Sequence, residues 1–550
     1  RAYDFNCWFA ECWTNFTRDC NNDWKASFPD LYVAWDGWQS GLGSGRLSPS
    51  YVRVRTAACF KYSDVLDGHD FASPVEGYSY VFGDRYVYQQ LQLATVARTL
   101  KKPYVTGEFG HVTSSSVGYD PAQNSNNIGT WNLTLNKALR YGYAGWCPYW
   151  VSYWHSFETG QYYNRIPRCD IRRPYVKQLN MLYKAAENWI DKIEFEPIML
   201  VTSAGSHFGT YGSMSGIGGV FPIKLFDQAG YVPKYWGFSY DNETFYPETI
   251  PDDVEIIVLG DLVHSREYGK LELKKINDWL NSDNSHKLIL CNTLESDLML
   301  EGTLRWEDVL NSTLFPSSPV EYGTSYTGKS NSTDVYVDVD GTNVLLARSN
   351  NYHSYFYAEF SEPYITGTYL INYTDTNKPM TIINDRIAWI GSVIGYQCGN
   401  PGTNAYATCK NGYLIIRKIL SHWGYNPKAD VTKSYWRVGY IFNKISSTYG
   451  IQGFYSINAT DSGTITPKFN FTRMSLSNNC NYVVFSTQTK TAVIKTPVEL
   501  ENGISVSLGA LNRENLILRS NDSLCYLYSN SYITNETSTS PESLTCIFAG

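Results

Sequence analysis

Long apolar runs, a basic charge excess and paired metal-binding cysteines are all absent from this sequence of 550 residues. No apolar stretch reaches the roughly eighteen residues that a membrane-spanning helix needs, so we expect no membrane span. Lysine and arginine together number 45 against 52 aspartates and glutamates, which gives a net charge of -7. Because binding to a phosphate backbone needs basic patches, nucleic acid is not an expected partner.

The twelve cysteines show no pair of Cys-x-x-Cys motifs of the kind that holds zinc. We therefore expect no metal site, and nothing in the sequence indicates a cofactor. An even number of cysteines instead favours disulfides formed in an oxidising compartment. Cys12 with Cys20 and Cys398 with Cys409 are close enough in sequence to be the favoured pairs.

Asparagine acceptors for N-glycosylation are spread along the whole chain. Two or three of them could arise by chance in a chain rich in Asn and Ser, but ten predict a secreted or cell-surface glycoprotein. The ten Asn-x-Ser/Thr sequons lie at Asn15, Asn132, Asn242, Asn311, Asn331, Asn372, Asn458, Asn470, Asn521 and Asn535.

Aromatic residues make up 15% of the chain, including 45 tyrosines and 16 tryptophans, while charged residues make up only 18%. Most of these rings are expected to fill a large core. The remainder suit carbohydrate as a partner, because aromatic faces stack on sugar rings and tyrosines tolerate polar interfaces.

A carboxylate stands near the end of the β-rich run PYVTGEFG, which covers residues 103–110 and includes Glu108. Short apolar strands alternate with helical stretches on both sides of this run. Such alternation is typical of βαβ units with a parallel sheet, in which functional residues collect at the C-terminal ends of the strands.

The runs DGHDF (67–71), PYVTGEFG (103–110) and GYAGWCPYW (142–150) resemble the sixth, seventh and eighth strands of a clan A glycoside hydrolase (β/α)8 barrel. The resemblance implies that Glu108 is the nucleophile of a retaining glycosidase. It also implies that His69 and Asp67 of the sixth strand face the substrate, and that Trp146 or Trp150 of the eighth lies under the sugar.

The second catalytic carboxylate of this clan follows an asparagine at the end of the fourth strand. The corresponding stretch is Ala2–Trp8, where Asn6 is followed by Cys7. A thiol is a poor general acid for a glycosidic oxygen. Glu11, four residues further on, is the other candidate acid, although we expect it to lie one turn into a helix and away from the strand end.

The resemblance begins only at this fourth strand, and no leader peptide precedes Arg1, so we expect the chain to be processed or partial. Four strands of eight would leave two open sheet edges. We therefore expect a homo-oligomer, or a second chain that completes the barrel.

Three domains are predicted: a barrel portion at 1–195, a flavodoxin-like α/β domain at 196–428 and an antiparallel β-sandwich at 429–550. The second rests on apolar strands at 196–202, 254–261 and 286–292 with helices at 270–281 and 412–423. The third rests on short strands separated by turn residues after about Lys433, with no convincing helix. This domain order is similar to that of family 42 β-galactosidases.

Two functions from different classes fit these observations. The first is a secreted retaining glycosidase that uses Glu108, His69 and Trp146 or Trp150, with an acid supplied by Glu11 or by a missing segment. The second is a non-catalytic, heavily glycosylated subunit of an extracellular assembly such as a filament, sheath or wall. Cys7 and the open barrel favour the second function, whereas the intact strand around Glu108 favours the first.

Most of the ten sequons should carry glycan, because loops of a secreted chain expose their asparagines to the transferase. Intact-mass analysis of the protein from its source, before and after enzymatic deglycosylation, measures this directly. A mass that does not change on deglycosylation would contradict the extracellular assignment.

Overall fold

The computed structural model describes eighteen stretches of the chain: 2–36, 62–71, 97, 100–110, 145–148, 192–202, 225–237, 249–262, 270–292, 335–347, 367–375, 377–391, 411–431, 438–456, 463–509, 513–522, 533–540 and 543–548. The chain divides into two compact units. One comprises Arg1–His69, Tyr88–Tyr104 and Glu196–Tyr425, and the other Asp70–Val87, Val105–Phe195 and Asn426–Gly550. The three predicted domains stay a prediction.

The chain begins with a helix, α1, which spans the 26 residues Ala2–Ser27. The strand predicted at Ala2–Trp8 was therefore wrong. No glycine or proline interrupts the sequence before Pro29, so nothing breaks the i to i-4 hydrogen bonds of a helix. The strand prediction rests only on the likeness of Asn6-Cys7 to the end of the clan's fourth strand, and so short a match does not determine local structure.

A four-stranded sheet follows α1, with the order β1-β2-β3-β4. Its strands are β1 Ala34–Asp36, β2 Val65–Phe71, β3 Tyr104–Gly110 and β4 Gly145–Pro148. The pairs β1/β2 and β3/β4 are parallel. The predicted order of the strands that carry DGHDF, PYVTGEFG and GYAGWCPYW is thus confirmed, whereas closure into an eight-stranded barrel stays a prediction.

A nine-stranded sheet forms the next part of the chain, with the order β10-β9-β11-β12-β13-β8-β7-β5-β6. Helix α2 covers Lys270–Ser282 and helix α3 covers Tyr413–His422. The strands are β5 Ile198–Thr202, β6 Lys234–Gly237, β7 Ile256–Leu262, β8 Lys287–Asn292, β9 Val335–Val339, β10 Thr342–Ala347, β11 Thr368–Tyr373, β12 Pro379–Ile383 and β13 Ile387–Ile390.

Five of these strands are parallel neighbours, in the order β6-β5-β7-β8-β13. Numbered along the chain, this order is 2-1-3-4-5, which is the flavodoxin-like arrangement. Residues 256–259 of β7 have no exposed surface. Such a continuous apolar strand is expected where helices cover both faces of a parallel sheet.

The antiparallel extension of this sheet, formed by β9 to β12, was not predicted. Its first hairpin turns at Asp340 and Gly341, whose φ angles are 52° and 79°. Two consecutive positive φ angles are what a type I′ turn requires, and Asp-Gly is a favoured sequence for it. The signal was present in the sequence, since this pair separates two runs of alternating apolar residues.

Arg386 ties the end of α2 to the strand β13 that follows it about a hundred residues later. Its guanidinium donates hydrogen bonds to the carbonyl oxygens of Leu280, Asp283 (3.0 Å) and His286 (3.2 Å). These are the carbonyls that a helix C-terminus and its turn leave without helical partners. The contact therefore fixes the end of α2 against the N-terminal ends of strands β8 and β13.

The rest of the chain is mainly antiparallel, with a five-stranded sheet in the order β15-β16-β22-β19-β20 and three two-stranded sheets, β14-β18, β17-β21 and β23-β24. The strands are β14 Ala429–Val431, β15 Val438–Ser446, β16 Tyr449–Ser456, β17 Gly463–Ile465, β18 Pro467–Phe469, β19 Tyr482–Ser486, β20 Ala492–Lys495, β21 Val506–Leu508, β22 Arg513–Ser520, β23 Ile533–Ser540 and β24 Ser543–Phe548. One face of the larger sheet packs with β14, β17, β18 and β21 around Phe454, Phe471 and Leu518.

Two short helices also lie in this region, where none was expected: α4 Phe471–Met474 and α5 Pro497–Asn502. Each follows a strand directly and begins at a capping side chain. Asn470 Oδ1 accepts a hydrogen bond from the Arg473 amide at 3.0 Å, and Thr496 forms a capping box with Glu499. Such capping lets a single turn of helix form where propensity alone predicts a strand.

Replacing Asn470 by alanine should lower the free energy of unfolding by about 1 kcal/mol, because the helix α4 loses its N-cap. Asn470→Asp keeps an acceptor oxygen at the cap and should cost little. Both variants destroy the sequon, as does Thr472→Ala at an exposed position. Thermal unfolding of the three deglycosylated variants separates the cap from the glycan, and equal losses in all three would contradict the capping role.

Candidate active site

The predicted nucleophile, Glu108, is the fifth of seven residues in strand β3, so it lies in the C-terminal half of that strand. The strand order places β3 between β2, which carries Asp67 and His69, and β4, which carries Trp146. Asp67 is half-buried. The side chains of His69, Glu108 and Trp146, and the whole of Trp150, lie outside the described part of the structure.

The pairing of β3 with β4 shifts register at Glu108. Thr106 pairs with Trp146 and Phe109 pairs with Pro148, so three steps along β3 match two steps along β4. One extra residue, at Gly107 or Glu108, is therefore accommodated on β3 as a bulge. Bulges are frequent at barrel rims and next to active sites, where they redirect a side chain. The irregularity thus coincides with the residue that the sequence predicted to be catalytic.

The candidate acid region does not have the geometry that the sequence predicted. Asn6, Cys7 and Glu11 all lie within helix α1, whereas the family arrangement needs the acid directly after a strand. Glu11 was expected inside a helix and is found there. The side chain of Glu11 lies outside the described part of the structure, so its role as a general acid stays a prediction.

A charged cluster anchors the other end of these strands. The carboxylate of Asp64, one residue before β2, accepts hydrogen bonds from the Val33 amide (2.8 Å) and from Lys25 Nζ (2.7 Å). Lys102, which precedes β3, donates to the carbonyl of Ser63. Partial burial disfavours the ionised form of Asp64 and so raises its pKa. The hydrogen bonds from Lys25 and Val33 have the larger effect, and they hold the pKa of Asp64 below its usual value. Burial lowers the pKa of Lys102.

These contacts explain how the strands are held and do not themselves form a reaction centre. In (β/α)8 proteins the N-terminal ends of the strands contribute to stability, and chemistry takes place at the C-terminal ends. Asp64 and Lys102 belong to the N-terminal ends of β2 and β3. They join the last turn of α1 to the sheet through Lys25.

The predicted disulfide between Cys12 and Cys20 is wrong. Both residues are free thiols of the one helix α1. Eight residues correspond to a rise of about 12 Å along a helix, which exceeds the roughly 7 Å between Cα atoms that a disulfide can span. Cys398 and Cys409 lie outside the described residues, so their pairing stays a prediction.

Five of the ten sequons fall within the described residues, at Asn15, Asn372, Asn470, Asn521 and Asn535. Asn521 is exposed, whereas Asn15, Asn372 and Asn470 are half-buried. Asn372 Nδ2 donates to Asn377 Oδ1 at 3.5 Å. Glycosylation itself stays a prediction at all ten positions.

In the described ranges, no three His, Cys, Asp or Glu side chains come close enough to bind a metal ion. Over the same ranges, no helix has both the length and the apolar character needed to cross a membrane.

A cavity of about 390 Å³, which no sequence motif indicates, lies between α3 and strands β9, β10 and β11. Its polar lining includes Asp340, Arg417, Lys418 and His422. Lys418 forms an ion pair with Asp340, and Arg417 donates to the Ala229 carbonyl at 3.0 Å. Its charged groups thus already hold the helix against the sheet.

Solved structures share this fold over most of the chain. The apo exo-carrageenase GH42 from Bacteroides ovatus aligns with a TM-score of 0.54 and 10% identity over 94% of this chain. The chain has the fold of family 42 glycoside hydrolases. The β-galactosidase from the psychrophilic Marinomonas ef1 aligns with a TM-score of 0.54 and 11% identity, also over 94% of this chain. The β-galactosidase from the Antarctic haloarchaeon Halorubrum lacusprofundi aligns with a TM-score of 0.51 and 10% identity over 94% of this chain.

The predicted resemblance to family 42 is thereby confirmed at the level of fold. The chain spans 56% of the length of the exo-carrageenase and 68% of each β-galactosidase. No family model and no curated protein sequence matches it. Identities of 10–11% establish the fold alone, so activity must be argued from the site.

Asp64→Asn should make the protein less stable at neutral pH by about 1 kcal/mol or less, since the ion pair with Lys25 is partly exposed. The pKa of Asp64 is lowered on folding, so this contribution is complete above the unfolded pKa of about 3.9 and is lost as pH falls through the folded value. Thermal melts of both proteins should therefore converge once the pH is below the folded pKa of Asp64. Asp19→Asn, at the exposed pair with Arg18, serves as control and should not change the melts.

Proposed function

We propose that the protein is a secreted, N-glycosylated, glycoside-hydrolase-like subunit of an extracellular assembly such as a filament, sheath or wall, and that it does not hydrolyse carbohydrate by itself. The observation that carries this proposal is the state of the acid-bearing segment. Asn6 and Cys7, which the resemblance matches to the clan's asparagine and acid, lie in helix α1 instead of at a strand end.

The chemistry explains why this one segment matters. A retaining glycosidase needs two carboxyl groups about 5 to 5.5 Å apart, one to attack the anomeric carbon and one to protonate the leaving oxygen. Loss of a positioned general acid typically costs about 10² to 10⁴ in rate. A chain with Glu108 but without an acid across from it would keep the shape of a sugar site and lose most of its turnover.

Carbohydrate is the partner that this proposal favours. The strand order brings together β2, β3 and β4, on which the predicted sugar-facing residues Asp67, His69 and Trp146 lie. Aromatic rings and hydrogen-bonding side chains at the ends of such strands bind sugars whether or not a bond is cleaved. The many sequons support the extracellular part of the proposal.

A retaining glycosidase of β-galactosidase type, with Glu108 as nucleophile, is the second candidate. The observation in its favour is the bulge of β3 at Gly107 or Glu108, because catalytic carboxylates often need such a local change of direction. In that case Glu11, or a group from outside this chain, must supply the proton.

A mechanism-based 2-fluoro-sugar should leave Glu108 unlabelled, and an unactivated aryl glycoside should not be hydrolysed, if the first proposal holds. A dinitrophenyl glycoside makes the test stricter, because its leaving group departs without protonation and needs only the nucleophile. Loss of the acid alone would not prevent this reaction, so the absence of turnover that we expect means that Glu108 itself does not attack the sugar. Peptide mapping by mass spectrometry and release of the phenolate are the measurements.

The variant Glu108→Gln provides the matched control, since the amide keeps the shape of the side chain but cannot attack. It should melt at the same temperature as the wild type and bind oligosaccharides on a glycan array equally well. Stoichiometric labelling of Glu108, with loss of dinitrophenolate release in Glu108→Gln, would contradict the non-catalytic proposal and establish the second candidate.

A further inference from the structure

The cavity beside helix α3 is bounded by one face of that helix and by one part of the nine-stranded sheet. The sheet contributes the turn between β9 and β10 together with β11. The residues of α3 recur at intervals of three and four, so they lie on one side of the helix. They are Leu414, Arg417, Lys418, Ser421 and His422. The volume of about 390 Å³ is near the lower end for small-molecule sites, so it suits a ligand of about one ring.

The charge of the cavity is opposite in sign to that of the chain. The whole chain has a net charge of -7, but Arg417 and Lys418 bring two permanent positive charges to the lining, against the one carboxylate of Asp340. The helix α3 itself contains no acidic residue. A concave site with an excess of one charge attracts ligands of the opposite charge. The lining therefore favours an anion.

The two positive groups are held in position by contacts within the protein. Arg417 Nε donates to the Ala229 carbonyl at 3.0 Å, and its guanidinium carbon lies 5.3 Å from the centre of the Tyr413 ring. Lys418 donates to Asp340 at the rim, where the side chain of Asp340 is 67% exposed. An ammonium group has three N–H donors, and this ion pair uses one of them. Lys418 can therefore donate to a second acceptor without losing the first.

The remaining polar groups of the lining are free to bind a ligand. The side chains of Thr342, Ser421 and His422 have no hydrogen-bond partner among the residues that the structure describes. The apolar part of the lining consists of Val339, Leu370 and Leu414. Small-molecule sites typically combine such an apolar lining with a few polar groups that fix the orientation of the ligand.

We propose that this cavity binds a small organic anion, in which a carboxylate or sulfate group is carried on one polar ring, as in a uronic acid or a sulfated monosaccharide. Lys418 donates to the anionic group, and the charge of Arg417 adds to the attraction. Thr342, Ser421 and His422 bind the hydroxyl groups of the ring. The site is built from other elements than the four-stranded sheet, and the proposal does not depend on the proposed function.

D-glucuronate and D-glucose are the first pair of probes, since one carries a carboxylate at the carbon where the other carries a hydroxyl. Glucuronate should bind the full chain at least about tenfold more tightly, because a charge-assisted hydrogen bond is stronger than a neutral one. The preference should shrink as sodium chloride is raised, since salt screens exposed charges. Calorimetric titration measures both effects. Equal affinities for the two sugars at low salt would overturn the proposal.

Glucose 6-sulfate and inorganic sulfate are the second pair, and they test whether the ring contributes. Glucose 6-sulfate should bind more tightly than inorganic sulfate, because the free ion leaves the hydroxyl partners and the apolar lining uncovered. Comparison with glucuronate identifies which anionic group the site prefers. If inorganic sulfate binds as tightly as the sugar sulfate, the assignment to a ring-bearing ligand is wrong.

Two substitutions at the ion pair should act in opposite directions. Lys418→Met removes a positive charge and should weaken glucuronate binding about tenfold, whereas Asp340→Asn removes a negative charge and should strengthen it about threefold. Asparagine tolerates the positive φ of 52° at position 340. Both variants break the same ion pair, so a purely structural role would make them alike. Weaker binding in both would contradict the proposal.

A substitution that fills the cavity tests its location. Ser421 is exposed, so Ser421→Phe can place a ring in the cavity without disturbing the core, and it should abolish glucuronate binding. Asn281→Phe is the matched control, because Asn281 is also exposed in the last turn of a helix, α2, and does not line the cavity. The control should bind like the parent chain, and both variants should melt like it. Binding that survives Ser421→Phe, or that is lost in both variants, would exclude this site.

Discussion

The parallel pairing of strands is the constraint on which the sheet around Glu108 and the central part of the nine-stranded sheet depend. A parallel neighbour cannot be reached by a tight turn, so the chain must leave the sheet, cross one face and return, usually through a helix. Both the sheet that carries Glu108 and the central part of the nine-stranded sheet contain parallel pairs, and helix α2 lies between β7 and β8 along the chain. The same constraint collects the C-terminal strand ends at one edge, which is where residues for binding can accumulate.

The parallel elements could be predicted because their sequence signal is strong. Strands such as β7 and β8 are continuous apolar runs followed or preceded by a helix, and each was predicted to within two residues at either end. The sheet order around β3 followed from three motifs. The register shift at Gly107 or Glu108 could not be foreseen, because it depends on how two strands distant in sequence fit together.

The errors have equally specific causes. The strand prediction at Ala2–Trp8 rests on a short likeness around Asn6 and Cys7, whereas the absence of any breaker before Pro29 allows a 26-residue helix. The helix α4 depends on one asparagine side chain at its N-terminus, and short helices of this kind leave almost no periodic signal. The disulfide prediction used closeness in sequence, but on one helix a separation of eight residues corresponds to about 12 Å, which is too far for a disulfide.

The site keeps the glutamate expected of a nucleophile in β3, but the segment expected to carry the acid is a helix. Folds outlast activities, so a strand that keeps its glutamate is compatible with loss of the reaction. What distinguishes binding from hydrolysis is a second carboxyl group in place, and the segment expected to carry it is helical.

The hydrogen bonds from Arg386 to the end of α2 have a consequence for folding during synthesis. This side chain holds the end of α2 from a position about one hundred residues further along the chain, and strand β13 completes the parallel core at the same point. During synthesis at roughly 5 to 20 residues per second, β8 must wait several seconds before its second parallel neighbour emerges. Until then one edge of an apolar strand is open to other chains. The nascent protein therefore has a period of aggregation risk that begins at β8 and ends only when β13 has left the ribosome.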